Sequence, residues 1–175
     1  YLHKTTASDL ARIALTASRH TLFMDICGTK EREVRTKDGR VFRLTNSNAL
    51  LTDPAWLYEG VSGMKTGFTN AAQSCLVATA ERDGRQLLAV LLHAPSNEAR
   101  YSDAQALLDY GFSTLSASAA PTLALLSGDT DSAGPGPSLS SLAAVVVDRK
   151  TGDILYSRRA DSPIYPADTA KLMTA

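Results

Sequence analysis

Two apolar runs joined by a short polar turn lie in the middle of the sequence. Residues 75–82 and 85–92 are rich in Leu, Val and Ala, and Asp83 and Gly84 separate them. An Asp-Gly pair between two such runs is a strong signal for a tight β-hairpin, because both residues tolerate the positive φ angles of its turn. The sequence therefore predicts an antiparallel hairpin, and the rest of the chain has to pack around it.

The segment before this hairpin, residues 60–69, contains the triplet Lys65-Thr66-Gly67 on a predicted strand. An edge strand at this place can hold an extended peptide through backbone hydrogen bonds. The ammonium of Lys65 and the hydroxyl of Thr66 can bind a carboxylate, and Gly67 lets a ligand lie against the backbone. The triplet therefore predicts a substrate-binding site for a carboxylate.

The chain contains a second triplet of the same sequence, Lys150-Thr151-Gly152. A Lys-Thr-Gly triplet alone is therefore weak evidence for a binding site. It lies between the apolar residues 145–147 and the segment 153–156. This position is typical of a hairpin turn, in which Gly152 supplies a positive φ and Lys150 is solvated. We interpret the second triplet as a turn without a ligand.

The composition excludes several classes of function. Hydrophobic residues make up 44% of the 175 residues, which is sufficient for one domain with a core. The chain has 18 Lys and Arg residues and 18 Asp and Glu residues. It therefore lacks the excess of basic residues that would indicate binding to nucleic acid. No apolar run has the length of a transmembrane segment. Cys27 and Cys75 lack metal-ligand spacing and are predicted to be buried apolar residues, so no metal or cofactor is predicted.

Helices are predicted on both sides of the strands. One follows a Thr or Ser cap and repeats apolar residues over 8–15. Another is capped by Ser96 or Asn97 and ends with Gly111 as its C-cap. Arg100 is predicted to be a solvated residue near the start of that second helix.

Other segments are predicted to lie outside helices. Residues 23–27 are predicted to be a short apolar connection, and Asp38-Gly39 indicates a further hairpin. Residues 116–141 are rich in Ser, Ala, Gly and Pro and are predicted to be a linker.

The order of the motifs resembles a known family, the serine-type D-alanyl-D-alanine carboxypeptidases or low-molecular-mass penicillin-binding proteins. Residues 1–115 resemble the second half of its catalytic domain, and residues 142–175 resemble the start of the same domain. The matching stretches in this sequence are 6–11, 45–51, 63–69 and 107–112, followed by 144–152, 165–167 and 171–175.

The resemblance implies an α/β (α+β) fold of the penicillin-binding-protein and β-lactamase-like transpeptidase type, in which an antiparallel sheet carries packed helices. The chain would then consist of residues 1–115, the linker 116–141 and residues 142–175, with the halves in permuted order. The family's middle, a helical subdomain with a Ser-x-Asn motif, has no counterpart, and residues 46–48 align with a different stretch. A permuted chain, a window across two tandem copies, and a cut or engineered fragment all fit this order. The start at Tyr1 and the stop within a predicted helix favour a fragment.

The family's nucleophile motif is Ser-x-x-Lys at a helix start, and the matching residues here are Asp168-Thr169-Ala170-Lys171. The implied reaction is acyl transfer, in which the lysine takes the proton of the serine three residues before it. Lys171 can still act as a base or counter-ion. Asp168 is a weak nucleophile toward an amide and is expected to form an ion pair with Lys171 instead. We therefore expect no normal carboxypeptidase turnover.

Three functions stay open at this point. The first is a carboxypeptidase by descent, whose complete parent acts on peptidoglycan stem peptides that end in D-Ala-D-Ala and binds β-lactams. The second is a non-catalytic module, a pseudoenzyme that binds such peptides or a partner through the Lys65 strand, and the third is a fragment without activity of its own. The resemblance places the protein in a bacterial cell envelope, on the extracytoplasmic or periplasmic side.

Overall fold

The fold is an α/β arrangement of one large antiparallel sheet, one small hairpin and several helices in the computed structural model, which describes residues 3–117 and 136–174. The elements in chain order are α1 (Ala7–Ala17), α2 (Thr21–Gly28), β1 (Glu31–Arg35), β2 (Val41–Thr45), α3 (Ala49–Thr52), β3 (Val61–Thr69), β4 (Gln73–Arg82), β5 (Arg85–Ala94), α4 (Asn97–Ala117), β6 (Ala143–Asp148), β7 (Ile154–Arg158) and a 3₁₀ helix (Ala167–Thr174).

The large sheet has the strand order β3-β4-β5-β6-β7, and every neighbouring pair is antiparallel. The turn between β4 and β5 is formed by Asp83 and Gly84 with φ values of 50° and 70°. Both angles lie in the left-handed region that a tight hairpin requires, so the predicted Asp-Gly turn is confirmed. The strand pair β6–β7 joins the same sheet beside β5, as the fold prediction required.

Both faces of the sheet are covered, which explains why β5 is apolar at nearly every position. Its alternate side chains belong to two separate core clusters, because successive residues of a strand point to opposite faces. Leu88, Val90 and Leu92 pack with α1, whereas Leu87, Ala89 and Leu91 pack with α4.

The structure differs from the helix predictions at two places. Residues 23–27, predicted to be a connection, belong to α2. Gly111, predicted to be a C-cap, lies inside α4, which continues to Ala117. A Cβ at position 111 would lie 2.8 Å from Leu87 Cδ1 and 3.2 Å from Val146 Cγ2, so this glycine permits close packing of α4 on the sheet and does not end the helix.

The two other predicted hairpins are confirmed. Asp38 and Gly39 lie in the turn between β1 and β2, a two-stranded sheet whose residues are all exposed. Gly152 has a φ of 83° in the turn between β6 and β7, and Lys150 is exposed there. Most of the predicted linker, residues 118–135, lies outside the described residues, and the chain from 136 leads directly into β6.

Asp103 fastens the segment before β6 to helix α4. Asp103 is 4% exposed, and its carboxylate accepts hydrogen bonds from the backbone N–H groups of Ser140 and Ser141 at 2.9 and 2.6 Å. The Ser141 hydroxyl donates a further bond of 2.6 Å to the same carboxylate. Bonds from buried donors to a charged acceptor are among the stronger ones in proteins, so this carboxylate fixes where β6 begins.

We expect Asp103→Ala to lower the free energy of unfolding by about 2–4 kcal/mol, because it leaves the buried backbone N–H and hydroxyl of Ser141 without their charged acceptor. Urea denaturation measures this change. Asp9→Ala is a suitable comparison, because Asp9 forms only an exposed ion pair with Arg12 and its loss should cost less than about 1 kcal/mol. Equal losses in the two variants would contradict the role given to Asp103.

Candidate functional site at the edge of the sheet

Strand β3 carries the first Lys-Thr-Gly triplet at one edge of the large sheet. Lys65, Thr66 and Gly67 face Val77, Leu76 and Cys75 of β4, which is the only strand that pairs with β3 in the described part of the chain. Thr66 and Gly67 are buried, whereas Lys65 is partly exposed. The triplet therefore lies on an edge strand, the position at which an extended peptide can add to a sheet.

Lys65 holds its ammonium close to the strand. Its Nζ donates a hydrogen bond of 2.5 Å to the carbonyl of Thr66. Burial lowers the pKa of Lys65, and the nearby carboxylate of Asp168 works in the opposite direction. The site thus contains a lysine whose positive charge is easier to remove than that of a solvated lysine.

Gly67 is the point at which the 3₁₀ helix touches β3. A Cβ at this position would lie 2.8 Å from the backbone nitrogen of Asp168 and 2.9 Å from that of Thr169. Only a residue without a side chain allows this approach of two backbones. The contact brings the start of the 3₁₀ helix to the triplet across about a hundred residues of sequence.

Asp168 and Lys171 form an ion pair, with 2.9 Å between Oδ1 and Nζ. The hydrogen bond from Lys171 holds the pKa of the Asp168 carboxyl below its ordinary value, and Lys65 adds to this effect. The element is a 3₁₀ helix, in which residues three apart lie directly above one another. All five site residues predicted from the sequence, Lys65, Thr66, Gly67, Asp168 and Lys171, therefore lie in one region.

Thr66 is 9% exposed, and its hydroxyl oxygen lies 2.9 Å from the hydroxyl oxygen of Ser47. Ser47 belongs to the short loop between β2 and α3. The side-chain amide of Asn46 donates to the carbonyls of Cys27 and Thr29 at 2.9 and 3.0 Å, which holds this loop against the end of α2. The loop thus presents a hydroxyl to the middle residue of the triplet.

Arg100 is the residue of this region that the sequence interpretation missed. The prediction of a solvated side chain is wrong, because Arg100 is 5% exposed. One guanidinium nitrogen donates to the carbonyls of Gly67 and Cys75 at 3.4 and 3.3 Å. Position 100 precedes the buried Ala104 by four residues and so lies on the same face of α4, which is the signal that could have identified it.

Tyr101 links Arg100 to the Ser47 loop. Its hydroxyl accepts a hydrogen bond of 2.8 Å from Arg100 Nη2 and donates one of 3.2 Å to the carbonyl of Ser47. Two buried donors in the same network, Asn48 Nδ2 and Arg100 Nε, have no hydrogen-bond partner among the described residues. Polar groups thus run continuously from α4 through the loop to Thr66.

The remaining candidate residues are two cysteines and two aromatic side chains. Cys75 is buried, but Cys27 is only partly buried, and both are free thiols. Trp56 packs against Tyr101, with ring centroids 5.8 Å apart, and Tyr58 donates a hydrogen bond to Asp109. Within residues 3–117 and 136–174, no three His, Cys, Asp or Glu side chains are grouped as metal ligands, and no helix could cross a membrane.

Comparisons with known proteins agree with this architecture. The sequence profile of the D-alanyl-D-alanine carboxypeptidase family matches residues 2–96. The chain is 32% identical over 111 residues to D-alanyl-D-alanine carboxypeptidase DacF of Bacillus subtilis, which covers 63% of this chain and 28% of that protein. It is 34% identical over 113 residues to the D-alanyl-D-alanine carboxypeptidase of Streptomyces sp. strain K15, which covers 62% of this chain and 38% of that protein.

A solved structure shows the same likeness. The crystal structure of the Streptomyces K15 DD-transpeptidase superposes with a TM-score of 0.54 and 34% identity, over 60% of this chain and 40% of that one. The chain thus spans less than two fifths of the length of the two curated relatives. Because the family profile matches more than half of its residues, the chain belongs to the D-alanyl-D-alanine carboxypeptidase family.

Proposed function

We propose that this site binds the terminal carboxylate of a peptide ending in D-Ala-D-Ala and forms no acyl-enzyme at position 168. The observation that carries the proposal is the 2.9 Å ion pair between Asp168 and Lys171, next to the Lys65-Thr66-Gly67 strand. In the family that this chain resembles, the serine nucleophile occupies the position that corresponds to residue 168. In this chain a carboxylate takes that place and engages the lysine that would otherwise activate the serine.

Binding uses three groups of β3. The ammonium of Lys65 attracts the carboxylate, the hydroxyl of Thr66 donates a hydrogen bond to it, and the exposed edge of the β3 backbone pairs with the peptide. The buried guanidinium of Arg100 holds the carbonyls of Gly67 and Cys75 and so keeps the end of β3 in place. The peptide would extend the sheet as a further strand.

Acyl transfer is blocked by the chemistry of Asp168. A carboxylate is a weak nucleophile toward an amide, and the anhydride that its attack would produce is far less stable than the amide, so the reverse attack by the released amine is favoured. The lowered pKa of Asp168 also keeps the group ionised, so it has no proton to give to a leaving amine. The site can therefore hold a substrate without turning it over.

The family resemblance also supports proposals on domain order, β-lactam binding and location. We infer that residues 142–175 supply the start of the domain whose second half is residues 1–115, in permuted order, and that β-lactams, as analogues of the peptide, compete for the site. The place of action would be the bacterial cell envelope. The names of the relatives favour a second candidate, carboxypeptidase activity in a longer protein that carries an intact nucleophile motif.

Chemical-shift titration of the ¹⁵N-labelled chain with an N-acetylated D-Ala-D-Ala peptide tests the proposal. We expect millimolar binding, with shifts centred on residues 65–67, and a loss of about tenfold or more in Lys65→Gln, because a hydrogen bond to a charged group contributes about 1.5–3 kcal/mol. Lys150→Gln is the matched control, since it removes the lysine of the second triplet, which lies in a hairpin turn. Equal binding by the two variants would contradict the proposal.

The pH dependence of binding follows from the lowered pKa of Lys65. Only the ammonium form attracts the carboxylate, so affinity is present below this pKa and is lost as the pH rises through it, below the usual lysine value of about 10.4. Asp168 raises this pKa, so the loss should begin at a lower pH in Asp168→Asn. The titration repeated between neutral and alkaline pH measures both profiles, and coincident profiles would show that Asp168 does not act on Lys65.

A further inference from the structure

We propose that Ser47 is a positioning residue of this site, because its hydroxyl donates to Thr66 and leaves the proton of the Thr66 hydroxyl for the ligand. The inference rests on the carboxylate-binding function proposed above. It concerns a loop residue outside both the Lys-Thr-Gly triplet and the 3₁₀ helix. Its starting point is the distance of 2.9 Å between Ser47 Oγ and Thr66 Oγ1.

The backbone on both sides of this contact is fixed. Thr66 lies on β3 opposite Leu76 of β4. The carbonyl of Ser47 accepts a hydrogen bond of 3.2 Å from Tyr101, and the amide of Asn48 donates one of 3.0 Å to the side chain of Asn46. The Ser47 side chain is therefore presented to Thr66 by a loop that has its own anchors.

A carboxylate ligand determines the direction of the hydrogen bond between the two hydroxyls. Each hydroxyl has one proton to donate and two lone pairs that accept. A carboxylate only accepts, so Thr66 has to donate its single proton to the ligand. The bond between the hydroxyls then requires Ser47 as the donor and Thr66 as the acceptor, which gives the chain Ser47 to Thr66 to carboxylate.

This chain should strengthen binding of an anion more than binding of a neutral group. A hydroxyl that accepts a hydrogen bond becomes a better donor, and the gain is larger toward a charged acceptor. Ser47 also restricts the rotation of the Thr66 side chain before the ligand arrives, which reduces the entropy that binding has to overcome. Ser47 is exposed, so we expect an effect at the lower end of the range for a hydrogen bond.

The chain offers a closely matched control on the same strand. Ser62 of β3 also forms a hydroxyl pair at 2.9 Å, with Thr79 of β4, near the opposite end of the strand from Gly67. Ser62→Ala therefore removes the same chemical group and the same kind of contact without touching the triplet. Comparison with Ser47→Ala separates positioning of Thr66 from general damage to β3.

The test uses the same N-acetylated D-Ala-D-Ala peptide as a free acid and as a C-terminal amide. In Ser47→Ala we expect the acid to bind about threefold more weakly, from the loss of one solvent-accessible hydrogen bond, and the amide to change by less. Ser47→Thr should restore binding of the acid, because it keeps the hydroxyl. Ser62→Ala should leave the ratio of the two affinities unchanged.

A second measurement needs no ligand. Three-bond scalar couplings of Thr66 report the populations of its χ1 rotamers, which should become averaged in Ser47→Ala and stay unchanged in Ser62→Ala. If wild-type protein binds the acid but both alanine variants give the same affinity ratio and the same couplings, the role of Ser47 is overturned. If wild-type protein does not bind the acid, the proposed function itself is overturned, and the carboxylate role of Ser47 with it, whatever the couplings show.

Discussion

Gly60→Ala is expected to destabilise the fold strongly, because the added side chain would collide with the backbone of β4. Gly60 has a φ of 81°, and a Cβ there would lie 2.0 Å from the carbonyl oxygen of Glu81. The same backbones are joined by a hydrogen bond of 2.9 Å from Glu81 N–H to the Gly60 carbonyl. The neighbour is backbone and cannot rotate away, so the start of β3 would have to separate from β4.

The expected loss is about 3 kcal/mol or more, of which roughly 1–2 kcal/mol is the cost of the left-handed conformation. In a chain of this size such a loss lowers the melting temperature by about 6–12 °C. Gly84→Ala is the control, because Gly84 has a φ of 70° but no atom within 4 Å of an added Cβ. Thermal unfolding of both variants measures the difference, and equal shifts would show that the contact with Glu81 has no cost.

Local sequence signals predicted the frame of the sheet. The Asp83-Gly84 turn and the turn at Gly152 both need positive φ angles, and the residues that tolerate them stand between apolar runs. A short turn restricts the register of the strands beside it, so such hairpins can be predicted from a few neighbouring residues. This is why β4, β5, β6 and β7 were predictable.

Helix α2 was not predictable in the same way. It has eight residues, its N-cap His20 makes no side-chain capping bond, and Leu22 and Ile26 on it are exposed. A short helix without a cap and without one buried face has no sequence pattern that separates it from an apolar loop.

The site also has one part that local sequence predicts and another part that it does not. Lys65, Thr66 and Gly67 were predicted as a group, because they are consecutive on one strand. The contact of Gly67 with Asp168 and the hydroxyl pair of Ser47 and Thr66 depend on backbone packing between distant segments. No local propensity encodes such contacts, so family resemblance implied only that the two motifs belong to one site, and neither contact was predicted.

Asp168→Ser is the second substitution with a large expected effect, because we expect it to create a site that a β-lactam acylates. The new hydroxyl would stand three residues before Lys171, whose Nζ now lies 2.9 Å from the side chain at position 168. Loss of the carboxylate releases Lys171 from this ion pair and leaves its amine close enough to take the hydroxyl proton. Lys65 and Thr66 would hold the carboxylate of the β-lactam during the attack.

The acylation expected in Asp168→Ser should depend on Lys171. The double variant Asp168→Ser/Lys171→Met keeps the hydroxyl and a side chain of similar length but has no base. We therefore expect slow labelling of the single variant and none of the double variant. Equal labelling of both would mean that the hydroxyl at position 168 is activated in another way.

Intact-mass measurement after incubation with benzylpenicillin tests most directly whether Asp168 is what keeps this site from acyl transfer. We predict an unchanged mass for the wild-type chain and, for Asp168→Ser, the addition of one penicillin molecule on the peptide that contains position 168. An adduct on the wild-type chain would contradict this, because it would require a nucleophile other than residue 168. An unchanged mass for Asp168→Ser would equally contradict it, because Asp168 would then not be what prevents the reaction.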